Sequence, residues 1–256
     1  MKITIVQPDI LWENKTGNLL KLESMLKEVS GKTDLVILPE MFNTGFSMNA
    51  EELFEYKDSD TFVWMQNISR EKKFAVCGSY IIKDGTHFYN RFVFVTPDKS
   101  SFFYDKRHLF SIGGENTKYQ SGKRRKIFKY KGYRINVIIC YDLRFPVWSR
   151  NRNDYDLLIC VANWPDSRRQ VWNTLLKARA IENQCYVAGV NRVGNDNTDN
   201  HYAGESVILD PRGRIITVVE EYEEGIATGV ISLSELNDFR MKFPVWKDAD
   251  DFTINL

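Results

Sequence analysis

The sequence predicts a layered α/β domain, built on one mixed sheet or on two. Three observations lead there. Strand-length apolar runs alternate with helical patterns early in the chain, hairpin patterns are mixed among them, and no linker, low-complexity segment or internal repeat divides the chain. Its 256 residues are enough for a single large domain with a sizeable core.

Lys2 to Gln7 reads as the first strand. From Thr16 to Ser30, the residues Leu19, Leu22, Leu26 and Val29 recur at helical spacing, and Gly31 closes this amphipathic helix. Asp34 to Glu40 is a short apolar run, a buried strand that ends in an acid. Asp60 to Lys73 predicts a helix and Phe74 to Ile82 a strand. Tyr89 to Val95 and Ser101 to Tyr104 are neighbouring strands joined through the Pro97-Asp98 turn. Asp105 to Arg125 is a polar loop with little periodicity, and loops of that length in compact domains are usually functional or mobile.

The strand Ile135 to Ile139 runs directly into Cys140. Asp156 to Ala162 is another buried strand, Arg168 to Asn183 a helix and Gln184 to Asn191 the next strand. Arg192 to Gly204 is loop-like. Glu205 to Leu209 and Arg214 to Val218 form a hairpin across Asp210-Pro211-Arg212-Gly213. Ile226 to Ile231 is the last strand, Ser232 to Met241 a helix, and residues 242–256 a tail that packs on the domain or on a partner subunit.

A formal net charge of +1 argues against a chain built to coat nucleic acid or an anionic membrane surface. The basic run Lys123-Arg124-Arg125-Lys126 reads as a solvated loop in that balance. Four cysteines without a C-x-x-C pair, and only three histidines, argue against a structural zinc site. With no disulfide framework, the cytoplasm is the expected compartment. The N-terminus meets polar residues too soon for a signal peptide, and no apolar run approaches bilayer length.

Cys140 stands out because polar and charged residues follow it at once, whereas Cys77, Cys160 and Cys185 sit inside or beside apolar strand patterns. A side chain between a buried strand and a helix is held rigidly and faces a crevice, where open α/β sheets place their chemistry. Three charged residues also stand out by position: Glu40 at a strand end, Lys106 just after a strand, and Glu115 in the loop Ile112-Gly113-Gly114-Glu115-Asn116. Each taken singly reads as an ordinary surface or loop charge.

Together they match a pattern. Leu38-Pro39-Glu40, Tyr104-Asp105-Lys106-Arg107-His108 and Cys140-Tyr141-Asp142-Leu143-Arg144-Phe145-Pro146 resemble, in order, the three signatures of the nitrilase (carbon–nitrogen hydrolase) superfamily. The likeness extends over Val161 to Pro165, Ala178 to Gln184 and Gly204-Glu205-Ser206. Asn90-Arg91-Phe92, Cys140 to Asn151 and Lys242 to Asp250 resemble the bacterial omega-amidase branch, whose members deamidate 2-oxoglutaramate and 2-oxosuccinamate.

The resemblance implies a four-layer α-β-β-α sandwich, commonly paired into dimers through its helices, so a homodimer is expected. It implies Cys140 as nucleophile, Glu40 as general base, Lys106 as third member and Glu115 as the glutamate that orients the lysine. His108 would then be no base, since a Cys–His dyad would have to displace Glu40. No metal or organic cofactor is expected, and the partner is a small amide. Other readings are a different small aliphatic amide or N-carbamoyl substrate, or a non-catalytic binding protein of the same fold.

A free thiol near pKa ~8.5 costs about 2 kcal/mol to ionise at neutral pH. An ammonium at ~4 Å in an effective dielectric near 20 offers up to about 4 kcal/mol, so Lys106 alone is expected to offset that cost. Glu40 opposes it and should titrate with Cys140 as a pair. The oxyanion is expected to meet Lys106 and the backbone N–H of Tyr141. Arg168 is the expected partner of a substrate carboxylate and Trp164 a pocket wall, while Arg144 and Asp142 are expected to hold the turn after Cys140.

Overall fold

The computed structural model describes residues 1–29 and 31–255, and its strands form two six-stranded sheets with a separate two-stranded ribbon. The chain begins with β1 (Lys2–Gln7), α1 (Lys15–Met25), β2 (Leu35–Ile37), the one-turn α2 (Ala50–Leu53) and α3 (Asp60–Lys72). Then come β3 (Ala75–Asp84), β4 (His87–Val95), β5 (Ser101–Asp105) and the short α4 (Glu115–Lys118). The second half carries β6 (Ile127–Tyr130), β7 (Tyr133–Ile139), α5 (Pro146–Ser149), β8 (Leu157–Val161), α6 (Arg169–Asn183) and β9 (Tyr186–Val190). The ribbon of β10 (Val193–Asn195) and β11 (His201–Ala203) follows, then β12 (Val207–Leu209), β13 (Ile215–Val218), β14 (Gly225–Val230) and α7 (Leu233–Lys242).

The sheets run β14-β1-β2-β3-β4-β5 and β13-β12-β9-β8-β7-β6. Each has a parallel centre, β1-β2-β3 in one and β7-β8-β9 in the other, with antiparallel strands on both flanks. Alternation along the strands explains the layering. Ile3, Ile5, Leu35, Ile37, Phe92 and Phe94 enter the core shared with the second sheet. Their neighbours Val6, Val36, Val93 and Val95 pack with Leu22, Phe62, Met65 and Ile68 of α1 and α3. On the other side α6 lies close on β9, because at Gly189 a Cβ would come within 2.4 Å of Leu176 Cδ1. The result is two mixed sheets face to face with helices outside them.

The structure departs from the sequence reading at several boundaries. The strand expected to reach Glu40 stops at Ile37, since Pro39 has no N–H to give the ladder. The first helix stops at Met25, and a tighter turn covers Lys27–Val29; Ser30 and Leu256 lie outside the described residues. The hairpin strand starts at Val207 instead of Glu205, because Gly204 and Glu205 both have left-handed φ (+75° and +56°). Gly204 is required there: a Cβ would fall 2.2 Å from Gln7 Cδ, and Gln7 Oε1 accepts the Ser206 N–H. β6 and the ribbon carry too few residues to show as periodicity.

The tail lies along its own domain. Phe243 O accepts from Gln184 Nε2 at 2.8 Å, Arg152 Nη2 donates to Phe252 O at 2.6 Å, and Ile254 touches the core. Among the described residues no helix is long and apolar enough to cross a membrane.

Candidate active site

Glu40, Lys106, Cys140 and Asn163 all follow the carboxyl ends of strands, two from each sheet, and so meet at one end of the sandwich. Three of the expected charges are fully buried together. Lys106 Nζ donates to Glu40 Oε1 at 2.8 Å and lies 2.9 Å from Glu115 Oε2, with all three side chains sealed from solvent. Asn90, from the middle of β4, donates through Nδ2 to Glu40 Oε1 (2.8 Å) and to Glu115 Oε1 (3.2 Å). The Phe110 N–H donates to Glu115 Oε2 at 2.6 Å. Two acids and one base thus form a cage whose formal charge is one negative.

Asn163 ties this cage to the second sheet. Its backbone N–H donates to Glu40 Oε2 at 2.8 Å, its Nδ2 to Glu40 O at 2.6 Å, and its carbonyl lies 3.9 Å from Cys140 Sγ. Cys140 is half-buried and has φ +46°, a left-handed conformation that a non-glycine residue adopts at a cost of about 1–3 kcal/mol. That bend turns the chain from β7 into the helical turn Cys140–Arg144 and leaves the sulfur at the floor of a cleft.

The electrostatics correct one expectation. Burial lowers the Lys106 pKa, but Glu115 and Glu40 outweigh it and hold the ammonium well above the ordinary lysine range. Burial and then Glu40 push the Cys140 thiol well above the usual cysteine range, against a downward pull from Lys106. Lys106 alone does not offset the cost of a thiolate, because its charge is already matched by two carboxylates. Burial and Glu40 also raise the Glu115 carboxyl, against the pull of Lys106. Burial and Glu40 thus both favour the protonated sulfur.

The cleft has a volume of about 590 Å³. Cys140, Tyr141, Asn163 and Trp164 line it, with Phe46 and Phe110 on other walls. Trp164 is fixed by its N–H to Asn191 Oδ1 (2.8 Å) and its indole N–H to Arg168 O (2.9 Å). Arg168 lines the cleft with its guanidinium 5.5 Å from the Phe110 ring centroid. Arg144 does not hold the turn as expected. Its guanidinium lies 5.2 Å from the Trp164 ring centroid and also lines the cleft, and among the described residues neither arginine's guanidinium has a hydrogen-bonded or ionic partner. The turn is held instead by Asp142, whose Oδ2 accepts the Ile139 N–H at 3.0 Å. Asn90 and Asn163 are the residues to which sequence reasoning gave no role, and Arg144 is the one it misassigned. Their signal lay in the Asn90-Arg91-Phe92, Val161 to Pro165 and Cys140 blocks, but an asparagine in or beside a strand reads as a mere polar interruption. Among the described residues no group of His, Cys, Asp and Glu side chains is placed to hold a metal ion.

A profile of the carbon–nitrogen hydrolase family matches residues 2–241. The omega-amidase YafV of Escherichia coli strain K12 is 42% identical over 254 residues, covering 99% of this chain and 98% of that protein. The 2-oxoglutaramate amidase of Bacillus subtilis strain 168 is 33% identical, with 96% of each chain covered. Among solved structures, XC1258 of Xanthomonas campestris, a CN-hydrolase superfamily protein with an arsenic adduct in its active site, superposes with a TM-score of 0.97 at 40% identity, covering 100% of this chain and 99% of that one.

Proposed function

We propose that this chain, which belongs to the carbon–nitrogen hydrolase family, is an omega-amidase that hydrolyses the terminal amide of small 2-oxo acids to the acid and ammonia. The observation that carries the reading is the sealed Glu40–Lys106–Glu115 cage beside Cys140, at the foot of a cleft with two guanidiniums that have no partner among the described residues. The cage supplies acid–base chemistry, and the arginines suit a substrate that keeps a carboxylate while its amide is cut. The names of the relatives point to the same substrates.

In this mechanism the Cys140 sulfur attacks the amide carbon as its proton passes to Glu40, so no free thiolate accumulates. Negative charge moves onto the amide oxygen, where Lys106 and the Tyr141 N–H stabilise it. Glu40 then protonates the leaving nitrogen, ammonia departs and a thioester remains on Cys140. Glu40 next takes a proton from water, which attacks the thioester, and the acid leaves as sulfur regains its proton. Glu115 and Asn90 hold Lys106 and Glu40 in register. Arg144 and Arg168 take the substrate carboxylate, and Trp164 walls the pocket.

Two further readings belong to the same proposal. Exposed Val147, Ile181, Met241, Phe243 and Trp246 on α5, α6, α7 and the tail suit a face that a second copy covers, making a homodimer, and light scattering checks it. The four free cysteines suit the reducing cytoplasm.

Ammonia release from 2-oxoglutaramate, glutamine and a simple aliphatic amide, by wild type and Cys140→Ala, tests the function. Fast release from the oxo-amide alone, absent in the variant, is the expected result. Release only from another amide would discard the omega-amidase assignment while keeping the Cys140 chemistry.

A further inference from the structure

Asp142 is a fully buried carboxylate that collects donors from three segments. Its Oδ2 accepts from Tyr104 Oη (2.7 Å), at the end of β5, and from the Ile139 N–H (3.0 Å), just before Cys140. Its Oδ1 accepts the His108 backbone N–H at 2.8 Å and faces His108 Nδ1 at 2.8 Å. A carboxylate can only accept here, so Nδ1 carries the proton. The His108 ring stacks on Phe145 with centroids 3.8 Å apart and planes at 9°, which fixes its orientation. Tyr104 Oη in turn accepts from Trp148 Nε1 at 2.9 Å.

Lys106 lies midway between Tyr104 and His108, and Cys140 lies between Ile139 and Asp142. One side chain therefore staples the segment that carries the lysine to the turn that carries the sulfur. The two segments come from different sheets, and nothing in β-ladder pairing fixes their separation. Tyr104 on β5 and Cys160 on β8 also feel the Asp142 charge, and neither is a cation. Arg107 sits over the Trp148 ring, and Arg179 of α6 donates to Leu143 O and Glu182. Among the described residues, His108 and Tyr104 are the side chains that meet the Asp142 carboxylate, His108 at Oδ1 and Tyr104 at Oδ2.

We propose that the His108–Asp142 pair is a positioning device for the amide hydrolysis, setting the placement of Lys106 relative to Cys140. His108 and Asp142 touch no substrate in this scheme; they act through the lysine and the sulfur. The inference rests on the catalytic reading of Lys106 and Cys140. Small displacements of reacting groups are costly, and a shift of about 1 Å can lower a rate about a hundredfold.

The test uses the full chain as wild type, Cys140→Ala, His108→Ala, His108→Asn and Asp142→Asn. It measures steady-state amide hydrolysis, iodoacetamide labelling of Cys140 against pH, and thermal melting. His108→Ala is expected to lose about tenfold to a hundredfold in kcat, with KM within about threefold. Its labelling midpoint should rise, because the ammonium no longer stands where it favours the thiolate. His108→Asn keeps a donor near the Nδ1 position and should recover most of the rate and the wild-type midpoint. Wild-type kcat and midpoint in His108→Ala would overturn the proposal, and so would His108→Asn as impaired as His108→Ala. If Asp142→Asn melts below assay temperature, the two His108 variants decide. Turnover retained in Cys140→Ala would sink the catalytic reading itself; turnover lost there but kept in His108→Ala would sink only the positioning role.

Discussion

Lys106 Nζ and Glu40 Oε1 lie 2.8 Å apart with both side chains wholly out of solvent, one from each of two strand ends in the same sheet. A buried ion pair is weak evidence of stability as a whole, but breaking one by removing a single partner costs about 3–5 kcal/mol. Here one ammonium serves two carboxylates, so its loss leaves two buried charges without a cation.

Lys106→Met is therefore expected to lower unfolding free energy by about 3–5 kcal/mol in urea titrations at neutral pH. Adding Glu115→Gln should restore part of that loss, a non-additive response. Glu115 already has a raised pKa in the folded protein, and in Lys106→Met the pull of the ammonium is gone. The folded variant then binds protons more tightly than the unfolded chain, so its deficit should shrink as pH falls. An equal deficit at acidic and neutral pH would contradict the cage.

Iodoacetamide labelling of wild-type Cys140 should climb only above the usual thiol range, because burial and Glu40 both hold the proton on sulfur. Glu40→Gln removes the neighbouring anion and leaves Lys106 in place, so the labelling midpoint should fall. Its amide turnover should drop by about 10²–10⁴ for want of a base. Faster labelling with slower turnover is the expected signature. An unchanged midpoint would place Glu40 away from the sulfur.

Arg144→Met should raise KM for a carboxylated amide by about tenfold to a hundredfold, the worth of a charged hydrogen bond at about 1.5–3 kcal/mol. KM for an uncharged amide of the same length should stay put. Arg168→Met is the matched comparison, and whichever variant leaves KM unchanged is not the carboxylate partner.

The backbone of this site was legible because chemistry sits where strands end. Glu40, Lys106 and Cys140 each close an apolar run, and their blocks carry a recognisable order. Asn90 and Asn163 were less legible. Each lies in or beside an apolar strand, and its value is a hydrogen bond to a residue 50 or 123 positions away. Arg144 was misread because neighbours in sequence suggest local bonding, whereas the helical turn swings its guanidinium over Trp164. The two-sheet arrangement was invisible to periodicity, since a strand buried on both faces looks the same in one sheet as in the other.

The left-handed φ of Cys140 has a bearing on heredity as well as chemistry. Any side chain at position 140 bears the same backbone penalty, and only glycine escapes it. Cys140→Gly should therefore outlast Cys140→Ala against denaturant by about 1 kcal/mol, while both are inert. A random walk through sequence space that rewarded sturdiness alone would discard the sulfur early.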